Sequence, residues 1–391
     1  MVIERARSAS AREVSERRLR IVFLIRALVV GGAERQLVEL AKALDRRVFD
    51  VSIVCFYSGG RLWQELLSAG VPVTSVDKRG RWEVFRFFLR LTKELRKQKP
   101  DILHGYMMGP NLMAMLMKLT VLRTRVVWGV RVSNIDVGLH GWFEWLLSRL
   151  EAYLSPLVSL VIFNSAAGES YCRAAGFGRA RTIAIPNGID VARFTPKQQG
   201  NVKLRISWGI PARSLVIGRV GRIVPMKDYS VFLKAASIFA KFRPDARFVC
   251  IGDGPDRYTL ELRALARELQ IDSKIVWTGS IEDMPSAYRA LDICCSSSAF
   301  GEGTPNCVAE AMACGVPCVV TDVGDSRLVI GETGVLVPPK NPEALAEGLA
   351  TMAKRIAENS ELGKVVRERI TSAFSVSMLV DKTSEALLGL Q

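Results

Sequence analysis

Two cations stand at a fixed spacing in the segment GRIVPMK, residues 221–227, which follows an apolar run and precedes an amphipathic one. Where a parallel strand is followed by a helix, Arg222 can neutralise a diphosphate through paired hydrogen bonds and Lys227 can do so as a point charge. Two solvated surface charges are the alternative interpretation. The pair becomes informative only together with the groups that face it.

A longer segment, residues 296–317, reads SSSAFGEGTPNCVAEAMACGVP and contains two glutamates eight residues apart. Glu302 stands in a glycine-rich loop, where a carboxylate can accept hydrogen bonds from sugar hydroxyls. Glu310 follows in a helix, where a carboxylate can hold a ribose diol. A solvent-facing glutamate beside a glycine turn is the alternative.

The same segment predicts where that helix begins and ends. We predict that Thr304 caps it, that Pro305 takes its first position and that Gly315 ends it. Free N–H groups at a helix N-terminus bind phosphate. The candidate phosphate-binding residues are Gly303, Thr304, Pro305 and Asn306.

A third candidate is the turn Gly31-Gly32-Ala33-Glu34, which comes straight after the first apolar run. Glycines there let the backbone approach a ligand closely at a helix N-terminus, where N–H groups and the helix dipole attract anions. An ordinary tight turn between a strand and a helix is the alternative.

These motifs need strands and helices that alternate, and the apolar pattern predicts such an order. The turn motifs fall after strands, so we expect parallel sheets with right-handed crossovers. The predicted strands of the first half are residues 19–27, 51–56, 72–76, 102–104, 125–130, 160–163 and 182–185. Those of the second half are residues 215–221, 246–251, 274–277, 293–296, 317–321 and 334–337.

The length of 391 residues suits two domains, and the polar stretch TPKQQG at residues 195–200 marks the linker. We predict two Rossmann-like α/β domains, residues 18–196 and 202–374. A helix over 375–391 is expected to pack back on the first domain, and residues 1–17 to form a basic, flexible tail.

Together the motifs resemble glycosyltransferase family 4, the retaining transferases with the GT-B fold, in which two Rossmann-like domains face across a cleft. The resemblance covers residues 21 to about 387. It includes IPNGID at 185–190 and IGDGP at 251–255 besides the segments above. The members it resembles most are bacterial enzymes that assemble polysaccharide and lipopolysaccharide.

The resemblance implies a role for each candidate residue. Arg222 and Lys227 match the pair that holds the donor diphosphate, Glu310 the glutamate on the donor ribose and Glu302 the one that contacts the transferred sugar. His104 falls where the family has a histidine near the reacting sugar, although a lone histidine is more often structural.

Further positions complete the implied site. The backbone of Gly31 and Gly32 would face the donor phosphates or the acceptor, and the nucleotide base would stack at Ser280 and Ile281. The donor would be a UDP- or GDP-sugar. Neither a bound cofactor nor a metal ion is implied, and the sequence has no Asp-x-Asp motif.

Two stretches of the first half bear on the acceptor. Many relatives have a second polar residue shortly after the histidine, where this chain has Gly105-Tyr106-Met107-Met108, which leaves the acceptor geometry open. The segment RVSN, residues 131–134, resembles a polar turn of polysaccharide-assembling members. It is either an acceptor contact or a capped loop.

The charge is strongly asymmetric. Residues 1–200 hold 31 Lys/Arg and 17 Asp/Glu, whereas residues 201–391 hold 23 and 22, so nearly all of the +15 net charge belongs to the first half. Such a surface meets a polyanion, either nucleic acid or an anionic membrane.

The stretch of residues 78–99 concentrates this charge, with nine Lys/Arg, two Glu and four large aromatics. As a helix it would place Val84, Phe88, Leu91 and Leu95 on one stripe. The opposite stripe would hold Arg86, Arg90, Lys93 and Lys97. We predict that this face docks on anionic lipid and brings the cleft to a lipid-linked acceptor; a core-packed helix with a solvated basic side is the alternative.

Several other classes of site are disfavoured. Eight cysteines without a C-x-x-C pair and only two histidines predict buried reduced thiols rather than a zinc site. Residues 1–20 lack the apolar core of a signal peptide, and residues 107–122 fall short of a membrane span. We expect a cytoplasmic protein, peripheral on the inner face of the cell membrane.

Other functions compatible with this composition are a nucleic-acid-binding protein, another GT-B enzyme such as an epimerase or phosphorylase, and a non-catalytic partner subunit. No stacking platform or nucleic-acid motif supports the first of these. If the site is catalytic, Glu302→Ala or Lys227→Ala is expected to abolish turnover with little change in the melting temperature.

Overall fold

The computed structural model describes residues 17–29, 31–80, 83–131, 137–196 and 202–391, without the side chains of 137–141. It contains two parallel β-sheets, each flanked by helices. The predicted tail at residues 1–16, the linker positions 197–200 and the positions 132–134 lie outside the described residues.

The first sheet has seven strands in the order β3-β2-β1-β4-β5-β6-β7. All its described pairs are parallel. The strands are apolar on both faces because helices cover both sides, as is usual for parallel sheets. Their bounds are β1 Leu19–Ile25, β2 Phe49–Cys55, β3 Val73–Ser75, β4 Ile102–Tyr106, β5 Arg125–Val130, β6 Leu160–Phe163 and β7 Thr182–Ala184.

Six helices connect these strands. They are α1 Gly32–Ala43, α2 Arg61–Ser68, α3 Val84–Gln98, α4 Met108–Met117, α5 Val137–Leu154 and α6 Ala166–Cys172. One apolar core contains Leu37 of α1 and Leu66 of α2. The core on the other face of the sheet contains Phe87 of α3 and Ala114 of α4.

The second sheet has six parallel strands in the order β10-β9-β8-β11-β12-β13, over one continuous core. Its strands are β8 Val216–Val220, β9 Arg247–Ile251, β10 Ile275–Gly279, β11 Ile293–Ser296, β12 Cys318–Thr321 and β13 Val335–Val337. Its helices are α7 Val202–Ser207, α8 Tyr229–Phe242, α9 Asp256–Glu268, α10 Met284–Tyr288, α11 Asn306–Ala313, α12 Ser326–Ile330, α13 Pro342–Glu358 and α14 Leu362–Ala373.

The last helix, α15 Val376–Leu388, crosses back to the first domain. Its Leu379 and Leu387 are buried in the core that also contains residues of α1 and α2. The motif at residues 185–190 contacts the start of α15 directly, because a Cβ at Gly188 would lie 2.9 Å from the Cα of Val376. The side-chain amide of Gln36 in α1 holds both backbone groups of Gly188.

The predicted fold class is therefore confirmed, and each predicted strand has an observed counterpart. The predicted composition of the apolar stripe on α3 was partly wrong. Phe87 is buried beside Leu91 and Leu95, while Val84 is 58% exposed. The buried face keeps Leu91 and Leu95 of the predicted stripe and adds Phe87, which packs against Phe56 at the end of the neighbouring strand β2.

The return of α15 predicts unequal effects at two adjacent leucines. Leu387 is fully buried, and Leu387→Ala should lower the free energy of unfolding by about 2–5 kcal/mol through lost burial and a cavity. Leu388 is 38% exposed, so the control Leu388→Ala should change it by less than about 1 kcal/mol. Urea denaturation measures both; equal effects would contradict the packing of α15 on the first domain.

Candidate active site

The carboxyl end of β8 carries the predicted cations. Pro225–Lys227 form one turn of 3-10 helix, and Asp228 caps α8 by accepting a hydrogen bond from the Val231 N–H at 3.2 Å. Lys227 Nζ lies 2.5 Å from Glu302 Oε1, in an ion pair whose side chains are 14% and 8% exposed. Arg222 is exposed, and its guanidinium forms no hydrogen bond or ion pair with the described residues, although its carbonyl accepts a hydrogen bond from the Val224 N–H at 3.0 Å.

The ion pair sets the charge state of the buried carboxylate. Burial raises the pKa of Glu302, but the Lys227 ammonium, its hydrogen bond and the Ser298 hydroxyl outweigh burial and hold the pKa below its ordinary value. The Ser298 hydroxyl donates to the same oxygen at 2.6 Å. Glu302 is therefore ionised at neutral pH and fixed in direction.

Sequence reasoning missed a second buried cation, Arg219 of β8, which is fully buried. Its guanidinium donates to the carbonyl of Lys227 at 2.9 Å and to the hydroxyls of Ser297 and Ser298 at 3.2 Å. It thus holds together the two loops that carry Lys227 and Glu302. The available signal was an arginine inside an otherwise apolar strand.

The neighbouring strand ends pack closely around this centre. Gly252 has φ +135°, and a Cβ there would overlap the carbonyl of Gly221, so only glycine fits. The Asp253 carboxylate accepts a hydrogen bond from the Ser280 N–H at 3.2 Å, which fixes the loop after β10. Ser280 and Ile281 therefore follow β10 on the same sheet edge as Arg222.

Glu310 lies on α11 and accepts a hydrogen bond from the Tyr288 hydroxyl at 2.8 Å. Burial raises the pKa of Glu310 to about 7, although the Tyr288 hydrogen bond and the charges of Arg193 and Arg35 act in the opposite direction. Arg35 belongs to α1, so a charge of the first domain acts on this carboxyl of the second domain.

The predicted start of this helix was wrong by one residue. Helix α11 begins at Asn306, and Pro305 is its N-cap. The Thr304 side chain does not cap the helix, because its hydroxyl donates across the cleft to the Asn164 carbonyl at 2.5 Å. The predicted end was right, since Gly315 follows the helix with φ +78°.

More bonds join the facing edges of the two sheets. Asn187 donates to Asn306 Oδ1 at 2.7 Å. The Asp325 carboxylate of the second domain accepts the N–H groups of Ala166 and Ala167, at 2.8 and 2.9 Å. Asp325 thereby stabilises the N-terminus of α6 in the other domain. The two sheet edges are held close to each other.

The glycine turn forms the opposite wall. A Cβ at Gly32 would lie 3.4 Å from the Asn306 amide nitrogen, so the start of α1 directly faces the start of α11. Gly31 is the N-cap of α1 and Glu34 lies in its first turn. The prediction that the Gly31 and Gly32 backbone faces the donor phosphates or the acceptor stays a prediction.

His104 lies inside β4 and is fully buried between Phe23 and Tyr106, with ring centroids 5.1 and 5.7 Å away. Burial and the nearby Arg131 cation lower the pKa of His104 to about 3, so the ring is neutral at physiological pH. Neither ring nitrogen has a hydrogen-bond partner among the residues that the structure describes. Such orphaned groups are rare in a fold and mark sites that a ligand can complete.

Arg131 follows β5 and stacks on the Tyr106 ring, with its guanidinium carbon 4.3 Å from the ring centroid. Its Nε and Nη1 atoms are buried without a hydrogen-bond partner. No acidic side chain of the described residues forms an ion pair with it. A cation that shares a hydrogen bond with Tyr106, but has no acidic partner among the described residues, stands beside a neutral histidine and favours an anionic or polar ligand at this edge.

A polar network supports this edge from behind, which the sequence did not reveal. Asn111 donates to Glu151 Oε1 at 2.7 Å and to the Gly129 carbonyl at 3.3 Å, and accepts the Gly129 N–H at 3.2 Å. A Cβ at Gly129 would lie 3.2 Å from His104 Nε2. Burial raises the pKa of Glu151 to about 7.

The described residues contain no group of three or more His, Cys, Asp or Glu side chains that could hold a metal ion. All eight cysteines are free, and seven of them are buried. In the part of the chain that the structure describes, no helix is long and apolar enough to span a membrane.

Family models match both halves of the chain. The model "Glycosyltransferase Family 4" matches residues 30–193, and the model "Glycosyl transferases group 1" matches residues 214–355. The matches follow the two sheets and meet near the linker.

Whole-length relatives agree. EpsF of Bacillus subtilis is 24% identical over 90% of each chain. An Escherichia coli UDP-Gal:alpha-D-GlcNAc-diphosphoundecaprenol alpha-1,3-galactosyltransferase is 23% identical over 93% of this chain and 95% of its own. Anabaena HepE in complex with UDP superposes with a TM-score of 0.82 at 21% identity, over 95% of this chain and 100% of that one. The complex of HepE with UDP-glucose gives 0.80 at 22% identity, with the same coverage.

The buried ion pair changes the expectation for Lys227. Removing the ammonium leaves a buried charge, so Lys227→Met should destabilise the fold by about 3 kcal/mol near pH 8. The wild-type pair stabilises above the unfolded pKa of Glu302, near 4.5, and is lost as the pH falls through the lower folded value. In the variant the carboxyl can take up a proton instead, so the difference in unfolding free energy should shrink towards about pH 5.

The double variant Lys227→Met/Glu302→Gln is the control, since it removes both charges and should recover part of the loss. Thermal and urea denaturation at the two pH values measure these differences. A loss that is the same at both pH values and in the double variant would show that the pair is not coupled.

Glu151 provides a second test of pH dependence. Its folded pKa of about 7 exceeds the ordinary value of 4.5, so its contribution is fully present below about pH 4.5 and is lost as the pH rises to about 7. Glu151→Gln keeps an acceptor for Asn111 and should remove a decline of about 2–4 kcal/mol over that range. The exposed Glu144→Gln on the same helix is the matched control. Parallel pH–stability curves for wild type and Glu151→Gln would contradict the assignment.

Proposed function

The chain belongs to glycosyltransferase family 4 and is a glycosyltransferase of the GT-B fold, and we propose that it transfers a hexose from a UDP- or GDP-sugar, with retention, to a hydroxyl of a glycan or lipid-linked acceptor. The observation that carries this is the arrangement at the end of β8. There, Lys227 is fixed against ionised Glu302, and the exposed guanidinium of Arg222 is not bound to any side chain among the described residues.

The donor half of the reaction uses the second domain. Arg222 and Lys227 would bind the diphosphate, and the backbone N–H groups of Gly303, Thr304 and Asn306 would add donors opposite Gly32, while Pro305 has no N–H to donate. Glu310 would hold the ribose diol, with its carboxyl aligned by Tyr288. The base would lie at Ser280 and Ile281. HepE, which shares the fold, was solved with UDP and with UDP-glucose.

Glu302 would contact the transferred sugar as a hydrogen-bond acceptor. Because Lys227 keeps it ionised and Ser298 fixes its direction, it is already arranged for sugar hydroxyls before the donor binds. Such preorganisation avoids rearrangement during the reaction. Since Lys227 is paired in the fold, donor binding would make it bridge Glu302 and a phosphate oxygen.

In the chemical step the bond from the anomeric carbon to the diphosphate oxygen breaks, and the acceptor oxygen bonds to that carbon on the same face. The acceptor proton passes to the leaving phosphate. Negative charge grows on the diphosphate, where Arg222 and Lys227 stabilise it. No residue is assigned as a carboxylate nucleophile, and the bonds between Thr304 and Asn164 support a cleft from which water is excluded.

The acceptor half belongs to the first domain. His104 is neutral and both its nitrogens lack partners, so it can accept or donate a hydrogen bond to the reacting sugar or acceptor without adding charge. Arg131 would contact a polar or anionic group of the acceptor. Related enzymes suggest cell-envelope or exopolysaccharide assembly, since the E. coli relative is named for a diphosphoundecaprenol-linked sugar.

Contact with an anionic membrane surface is part of this proposal, through α3. Arg86, Lys93 and Lys97 are exposed on that helix. Arg90 is not available, because it is bound to Glu83 at 2.9 Å and to the Val76 carbonyl at 2.7 Å. The expected electrostatic face is thus narrower than the sequence indicated. A nucleic-acid partner has no support among these contacts.

The proposal predicts a donor-specific response. Purified protein should be stabilised by one class among UDP-, GDP-, ADP- and CMP-sugars and should hydrolyse that sugar slowly, with no loss of rate in EDTA. A thermal-shift and product-release screen measures both. A folded sample that responds to no nucleotide sugar would favour a different GT-B reaction or a binding subunit.

Arg222 gives a sharper form of that test. Arg222→Ala should lower kcat/KM by at least about 100-fold, because it removes a charge-assisted contact that strengthens as the diphosphate leaves. Its melting temperature should stay near that of the wild type, since Arg222 is exposed and unpaired. Arg257→Ala, an exposed arginine on α9, is the matched control. Unchanged kcat/KM in Arg222→Ala would refute the diphosphate assignment.

A further inference from the structure

Large exposed apolar side chains are concentrated on one layer of the first domain. Of the twenty-four such residues that the structure describes, thirteen lie between residues 84 and 157, on α3, on α5, and around the C-terminal end of α4. Their density is highest on α5. The exposed residues Trp142, Phe143, Trp145, Leu146, Leu150 and Tyr153 are called the α5 belt below.

The α5 belt inverts the usual arrangement of a surface helix. Five consecutive residues, from Trp142 to Leu146, are all exposed, and Trp142 and Tyr153 reach 75% and 80% exposure. The buried positions nearest the C-terminal end of the helix include a carboxyl, Glu151. A surface helix normally buries its apolar residues and exposes its polar ones. Aromatic residues on the outside and a glutamate on the inside indicate that water is not the only medium the outer face meets.

The belt is continuous with the cationic face of α3. Arg96 of α3 reaches the Thr120 carbonyl at 3.4 Å, just after α4, and Lys118 reaches the Leu157 carbonyl at 3.0 Å, just after α5. The three helices therefore lie side by side on the same side of the sheet. Leu119 and Leu122, 73% and 81% exposed, lie in the loop after α4.

We propose that the α5 belt inserts into the interfacial region of an anionic lipid bilayer, with the α3 cations on the headgroups. The inference rests on the proposed membrane contact of α3 and adds the apolar half of that contact. Tryptophan and tyrosine, with an apolar ring and a polar tip, are the residues that settle at headgroup level. Basic residues beside such rings add attraction to anionic lipid.

The positive charge of this surface favours an anionic bilayer, rather than a second copy of this chain, as the partner of the α5 belt. Within residues 142–157, Glu144 is the one exposed acid, and Arg149 is exposed on the same helix. Two copies joined through this layer would bring together the half of the chain that carries nearly all of the +15 charge. An anionic surface is attracted by the same charge.

The location also serves the reaction. The inner side of α5 carries Glu151, which is bonded to Asn111, and Asn111 holds Gly129 beside His104. Insertion of the outer side would thus place the acceptor edge of the cleft within reach of a lipid-linked acceptor at the membrane surface. A detached acceptor would not need the belt.

Vesicle flotation of the full chain tests the proposal. Vesicles of phosphatidylglycerol and phosphatidylethanolamine should float wild-type protein even at about 1 M NaCl, where the Debye length is about 3 Å. Trp142→Ser/Trp145→Ser/Tyr153→Ser should weaken partitioning at that salt by at least about tenfold. The control Phe242→Ser/Leu260→Ser/Leu328→Ser removes equally exposed apolar residues from the second domain and should float as the wild type does.

A second variant separates the two halves of the contact. Arg86→Glu/Lys93→Glu/Lys97→Glu should weaken flotation at low salt, since it removes only the electrostatic attraction. Brominated lipid should also quench wild-type fluorescence more than that of Trp142→Phe/Trp145→Phe, which keeps apolar rings at both positions. Vesicle-free donor hydrolysis should be unchanged in all these variants, so loss of hydrolysis reports on the donor site alone.

Two results would overturn the inference. One is flotation of the belt variant at high salt equal to that of wild type. The other is a wild-type dimer in analytical ultracentrifugation that the belt variant converts to monomer without any lipid-dependent change, which would assign the belt to self-association.

Discussion

The buried ion pair between Lys227 and Glu302 is the interaction on which the site depends. It joins the loop after β8 to the loop after β11, and it does so where both side chains are withdrawn from water. A buried pair is favourable only if its remaining hydrogen bonds are met. Ser298 meets one on Glu302, and Arg219 anchors the carbonyl of Lys227 from inside the sheet. In the candidate site these contacts fix the directions of the Lys227 and Glu302 side chains.

The second constraint is that two sheet edges must face each other at close range. A Cβ at Gly32 would lie 3.4 Å from the Asn306 amide nitrogen, so the start of α1 is in contact range of the start of α11. The hydrogen bonds of Thr304, Asn187 and Asp325 then connect α11, the motif at 185–190 and the N-terminus of α6. In the sequence these residues lie in separate turns, but in the structure they form the contacts between the two domains. The return of α15 adds an apolar connection far from the cleft.

Much of the fold could be predicted because parallel sheets buried on both faces produce long apolar runs separated by turn residues. The placement of Arg222, Lys227 and Glu302 in loops after strands was predicted by the same rule, whereas Glu310 was placed in a helix by the turn and cap residues around it. Arg219 could not be found that way, because its partners are backbone and hydroxyl groups from distant loops. Thr304 was predicted to cap α11, but its hydroxyl donates instead to the Asn164 carbonyl of the other domain.

We propose that the cleft recognises a diphosphate through Arg222 and Lys227. Isothermal titration calorimetry with uridine, UMP and UDP, and with the matching guanosine series, tests it most directly. Within the preferred series, the diphosphate should bind at least about tenfold more tightly than the monophosphate, a difference of about 1.4 kcal/mol, and this gain should disappear in Arg222→Ala. Equal affinity for monophosphate and diphosphate in the wild type would contradict it.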